Sequence, residues 1–251
     1  MPLATIVVLI AVALMTLLLP LGIVLFLRRR GGSWTAFLTG AGTFVLFAMV
    51  LEPILHNLVL RSPAGAAIQG NILLYGLYGG LAAGIFEETG RLLAFRFVLQ
   101  RSTARVTSLS YGIGHGGIEA FLLVGLTMVS NLILGLSHAA GTPLPEEAAA
   151  AAETILTAPA SLFLWSGLER LSAMALHLAL SVLVFASVRT GKRWLFPAAI
   201  GVHAAVNFAA VVSNAHLPVA ATEAIVLLLT ALAALWAARV YRALPQGQET
   251  A

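Results

Sequence analysis

Apolar runs long enough to cross a hydrocarbon core recur along the whole chain. About 20 helical residues span a ~30 Å hydrocarbon layer. Inside that layer every backbone N–H and C=O must be satisfied within the protein. The runs predict an all-α, polytopic transmembrane bundle of about seven spans, at roughly 4–27, 34–59, 68–98, 107–136, 160–188, 194–213 and 219–240. Composition agrees: 60% of the 251 residues are hydrophobic and 10% charged, against about 25% charged in a soluble domain. No internal repeat is visible, so the sequence gives no support to an inverted-repeat transporter.

Lysine and arginine set the orientation. Arg28–Arg30, then Arg96, Arg101 and Arg105, then Arg189, Lys192 and Arg193, then Arg239 and Arg242 all fall on one side of the alternating spans. Arg61 alone lies opposite, and Arg91 and Arg170 lie within spans. The positive-inside rule then puts the N-terminus outside and the C-terminus in the cytoplasm of a multi-pass cell membrane, with a prokaryotic plasma membrane expected. The pI near 10.1 reflects these topological clusters, so nucleic acid is excluded as a partner. The chain has no cysteine, which excludes disulfides, thiolate ligands and a cysteine nucleophile. No basic segment precedes the first run and three arginines follow it, so it reads as a retained span. The external loop 137–159, with Pro143, Pro145, Glu146, Glu147 and an alanine run, predicts a short surface helix without chemistry. The polar tail "PQGQETA" predicts disorder.

An ionisable residue inside a span is a functional-site hypothesis by default. The third span carries "EETGR" with Glu87, Glu88 and Arg91, and the fourth "HGGIE" with His115 and Glu119. The fifth carries Glu169, Arg170 and His177, and the sixth "HAAVN" with His203 and Asn207. Spacings of three and four residues put Arg91 beside one of the glutamates, and put His115 with Glu119 and His203 with Asn207 on shared faces. Depth agrees across helices. His115 and His203 each lie ten residues past a cytoplasmic arginine, Glu87 nine before one and His177 twelve before another. Each is therefore about 14–18 Å from the cytoplasmic flank. Glu169 belongs nearer the outer side, paired with Arg170. His56 with Glu52 reads as a structural pair, His138 and His216 carry no role, and glycines 76, 79, 80, 84 and 90 predict close helix approach. Trp165, Trp194 and Trp236 read as interface anchors.

Paired carboxylates with an arginine, imidazoles and an amide suit activation of water against a carbonyl. The same residue types can bind zinc, with His115, Glu119 and His203 as candidate ligands. The spacing contains no HExxH and does not demand a metal, so no cofactor is favoured and Zn2+ stands as the alternative.

"EETGR", "HGGIE", "ER" followed by His177, and "HAAVN" together resemble the YhfC-like membrane peptidases. That family lies within the wider group of CAAX prenyl endopeptidases and bacteriocin-processing enzymes. The resemblance covers about 84–210 and implies that Glu87 activates water, supported by Glu88 and Arg91. It implies that His115 is the histidine of the next span, and that His203 and Asn207 stabilise the oxyanion. The EExxR spacing is one residue shorter than the EExxxR of the CAAX enzymes, and Glu119 is characteristic of the YhfC-like branch. A prenylated CAAX substrate is therefore not implied, and the group includes enzymes described as metallopeptidases and as glutamic peptidases.

The expectation is a single transmembrane domain over 1–251 with a peptidase-like core at about 68–213. It is an intramembrane protease of glutamic type, with Glu87, Glu88, Arg91, His115, Glu119, His177, His203 and Asn207 at the site. The expected partners are a membrane protein or lipidated peptide as substrate and the lipid bilayer itself. The competing readings are a zinc metallopeptidase, a proton-coupled transporter, and a non-catalytic binding or immunity protein.

Overall fold

Asn71 and Ser33 show how this sequence starts its helices. The Asn71 side chain accepts from the N–H groups of Leu73 and Leu74, and that of Ser33 from Ala36, satisfying donors that a helix start leaves orphaned. Pro145, Pro159 and Pro218 precede three more helix starts. Gly191, at φ +71°, ends the helix Ala160–Thr190 in the left-handed conformation that glycine tolerates.

The computed structural model describes residues 1–247, so the end of the polar tail, 248–251, lies outside the described residues. The helices are α1 (Leu3–Arg28), α2 (Trp34–Leu60), α3 (Gly65–Gln69), α4 (Ile72–Leu93), α5 (Val106–Ala139), α6 (Glu146–Thr157), α7 (Ala160–Thr190), α8 (Leu195–His216) and α9 (Val219–Ala243). Widened π-type turns interrupt α2 at Val45–Leu51 and α5 at Phe121–Gly125, and extend α4 through Ala94–Val98. The protein is an all-α, multi-pass membrane bundle.

Among the described residues six helices are long and apolar enough to cross a membrane: α1, α2, α5, α7, α8 and α9. Helix α4 has 22 residues, or about 33 Å, but its glutamates, arginine and glycines lower its hydropathy. The expected third span, 68–98, is divided: Gly65–Gln69 forms a separate short helix and the Asn71 cap restarts the chain at Ile72. The loop helix expected within 137–159 is α6, which buries Ala152 and Ile155.

Helix α7 is the central post, with 72% of its most apolar stretch buried against at most 28% in the other five. Helix α5 packs on α7, and α4 packs on α8. Backbone contact at these crossings needs glycine. A methyl group on Gly80 would lie 2.6 Å from the Ala204 carbonyl oxygen, and one on Gly112 would lie 2.9 Å from the Leu178 Cα. Gly79, in contrast, faces open space. Towards the basic end, Phe95 packs between Tyr111 and Phe185, at ring distances of 4.6 and 5.2 Å. Arg189 donates there to the carbonyls of Leu99 and Ser102, and Arg105 lies over the Tyr241 ring. The stacked Trp194 and Trp236 rings lie at the same end. The cationic loops thus gather at one face, as the alternation of charge requires.

Candidate functional site

Four helices bring their polar faces to one point. Arg91 on α4 is completely buried, and its Nη1 donates to both oxygens of Glu88 at 2.6 Å. Three residues is the spacing that lets these side chains meet on one helix face. Arg91 Nη2 also lies 3.1 Å from His177 Nδ1 on α7. Arginine can only donate, so Nδ1 is the acceptor and His177 carries its proton on Nε2. That nitrogen lies 2.5 Å from Glu119 Oε2 on α5. Arg170, two turns before His177 on α7, donates to Glu119 Oε1 at 2.8 Å and grips Glu169 with two further contacts.

On the other side of Arg91, Glu88 Oε1 accepts from His203 Nδ1 on α8 at 2.8 Å. The Nε2 of a neutral His203 is then a lone pair, 3.9 Å from Glu87 Oε1. Glu87 Oε2 accepts from His115 Nε2 at 2.8 Å and lies 3.9 Å from His177 Nδ1. One network therefore runs from Glu169 through Arg170, Glu119, His177, Arg91 and Glu88 to His203, with the Glu87–His115 pair beside it. Glu87, Glu119, His177, His203 and Asn207 all line a cavity of about 80 Å³.

The pairings differ from those read along single helices. Arg91 takes Glu88 and not Glu87. His115 turns to Glu87 rather than to Glu119 four residues on, because Glu119 is occupied by Arg170 and His177. The ligand atoms that converge also differ from the candidate set His115, Glu119 and His203. They belong to Glu87, His177 and His203, and lie within 4.8 Å of one another. His115 has spent Nε2 on Glu87, and its Nδ1 is buried without a partner. Glu52 and His56 form the expected pair at 3.1 Å, extended by Tyr78 of α4 at 2.8 Å from His56. Arg170 is the participant missed as a site residue. Its position seven residues before His177, on the same face of α7, was the available signal.

Glu87 Oε1 and His203 Nε2 are placed to take a divalent ion, and His177 Nδ1 would complete the set by exchanging its contact with Arg91 Nη2 for the metal. Tetrahedral zinc with 2.0–2.1 Å bonds needs ligand atoms about 3.3 Å apart, so the three side chains would have to draw in from separations of up to 4.8 Å. Each donor side chain is also held from behind: His203 by Glu88, His177 by Glu119 and Glu87 by His115. Such outer partners orient ligands in metal sites.

The YhfC intramembrane metalloprotease family matches residues 15–229. The uncharacterised membrane protein YhfC of Bacillus subtilis (strain 168) is 35% identical over 238 residues, covering 90% of this chain and 92% of that protein. No solved structure matches. With the match spanning nearly all of its helices, the chain belongs to the YhfC intramembrane metalloprotease family.

Proposed function

We propose that the protein is a metal-dependent intramembrane peptidase that hydrolyses a peptide bond of a membrane-associated protein or peptide. The observation that carries this is the convergence of Glu87, His177 and His203, each steadied by a second buried group. The family description, naming a metalloprotease, supports a metal over a glutamate acting alone.

Glu87, His177 and His203 would hold the ion. A divalent ion such as zinc supplies Lewis acidity, easing proton loss from water and polarising a carbonyl. Arg91 pairs with Glu88, and Glu88 fixes the His203 ring by accepting from Nδ1, leaving Nε2 aimed at the cavity. Arg170 does the same service for Glu119, which orients His177. Glu87 is the acceptor for the proton lost by the attacking water, and passes it to the departing amine as the C–N bond breaks. The amide of Asn207 lines the same cavity and donates to the developing oxyanion. The full transmembrane domain is required, since the site draws side chains from α4, α5, α7 and α8. Kinship with the wider CAAX endopeptidase group is proposed on the motif pattern alone and carries no substrate with it.

The test is metal content together with cleavage in purified protein. One tightly bound zinc per chain is expected, lost in His177→Ala and His203→Ala, with cleavage of a cognate membrane substrate abolished by chelation. Full activity in metal-free protein would overturn the metal and return the mechanism to Glu87 acting directly on water. Retained cleavage in both Glu87→Gln and His203→Ala would remove the peptidase reading. Asn207→Ala is expected to lower kcat on the order of 10²-fold with metal content unchanged.

A further inference from the structure

A second, larger cavity of about 460 Å³ opens on the external side of the site, between α7, α8 and α9. It shares Glu169, Ala210 and Val226 with the inner cavity that contains Glu87, His177 and His203. One face of α9 lines both. Thr222 borders the outer cavity, Val226 both, and Thr230 the inner one. Their four-residue spacing stacks them on one helix face over about 12 Å.

The two threonines are anomalous. Thr222 is 4% and Thr230 2% exposed, and neither hydroxyl has a hydrogen-bond partner. A helical threonine ordinarily donates to the carbonyl four residues back, as Thr43, Thr127 and Thr190 do in this protein. A buried hydroxyl left unpaired is unfavourable, so two of them along one route mark places where another molecule's polar groups belong. The charge of the outer cavity is one-sided as well. Glu169 and Glu223 line the outer cavity, no lysine or arginine does, and Glu223 is in no ion pair among the described residues.

We propose that the substrate enters from the external side as an extended segment along the Thr222–Thr230 face of α9. The two hydroxyls hydrogen-bond its backbone, and Glu223, which unlike the Arg170-bound Glu169 has no ion-pair partner among the described residues, holds a basic side chain. An extended strand covers about 12 Å in roughly four residues. The substrates favoured are therefore membrane proteins or peptides with lysine or arginine about four residues to the external side of the scissile bond. This deepens the peptidase reading and rests on it.

The chain lacks cysteine, so single cysteines report cleanly. Thr222→Cys and Thr230→Cys are placed in the full chain carrying Glu87→Gln and reconstituted right-side-out in phosphatidylcholine vesicles. Cationic and anionic methanethiosulfonates are then added outside. Both cysteines are expected to react, the cationic reagent faster on the order of tenfold, and Glu223→Gln should remove that preference. A synthetic leucine–alanine spanning peptide with external lysines should protect both positions, and its glutamate-flanked counterpart should not. Labelling no faster than at the lipid-facing Leu228→Cys, equal rates for the two reagents, or equal protection by the two peptides would each overturn the proposal. The Glu87→Gln background removes cleavage, so protection tests the route, whereas cleavage by the native chain tests the peptidase reading.

Discussion

Two carboxylate–imidazole networks lie in this membrane domain, and they differ in how many helices meet. Glu52, His56 and Tyr78 link only α2 and α4, and the His56 side chain remains one-third exposed. The network of Glu88, Arg91, His177 and His203 joins α4, α7 and α8, with every member buried. The first can be satisfied by neighbours that would pack together anyway. The second leaves Glu87 Oε1 and His203 Nε2 facing a cavity, with His177 Nδ1 beside them in contact with Arg91. Residue type does not separate the two; convergence does.

The comparison makes graded claims. Glu87→Gln should reduce cleavage to background while the helices still insert, as judged by folded yield in detergent; activity surviving there would place the chemistry elsewhere. Arg91→Met should destabilise by about 3–5 kcal/mol, because it strands the buried Glu88 carboxylate. Thermal unfolding in detergent measures this, and a change below about 1 kcal/mol would mean that Glu88 finds another partner. His56→Phe, which breaks the smaller network, should cost about 1 kcal/mol of stability and leave cleavage within a few-fold. A loss of cleavage as deep as that of Glu87→Gln would erase the distinction between the networks.

Much of this was legible in the sequence, for identifiable reasons. Span positions follow from apolar runs, and the shared depth of Glu87, His115, His177 and His203 follows from counting turns from flanking arginines. The i,i+3 contact of Arg91 with Glu88 is local and was visible as one of two choices. What was not legible is which side chains pair across helices. His115 meets Glu87 and Glu119 meets Arg170 because of helix rotation, and rotation is fixed by backbone approach at glycines such as Gly80 and Gly112. Tertiary contacts of that kind leave no periodic trace. The Thr222–Thr230 face of α9 escaped for a different reason: threonines in an apolar helix look unremarkable until their usual carbonyl acceptors are seen to be unused.

The Glu88–Arg91 pair also bears on how the protein enters the bilayer. Helix α4 emerges during synthesis before α7 and α8 exist, so neither His177 nor His203 can yet neutralise it. The arginine and glutamate lie within one turn of the same helix and cancel each other in cis. Of the three ionisable groups only Glu87 then lacks a counterpart within its own helix. Arg91→Ala should accordingly lower membrane insertion of a nascent chain truncated after α4, read by glycosylation mapping; undiminished insertion would show that α4 needs no internal compensation. The contact that fixes the site in the finished protein thus serves first as a passport for the helix that carries it.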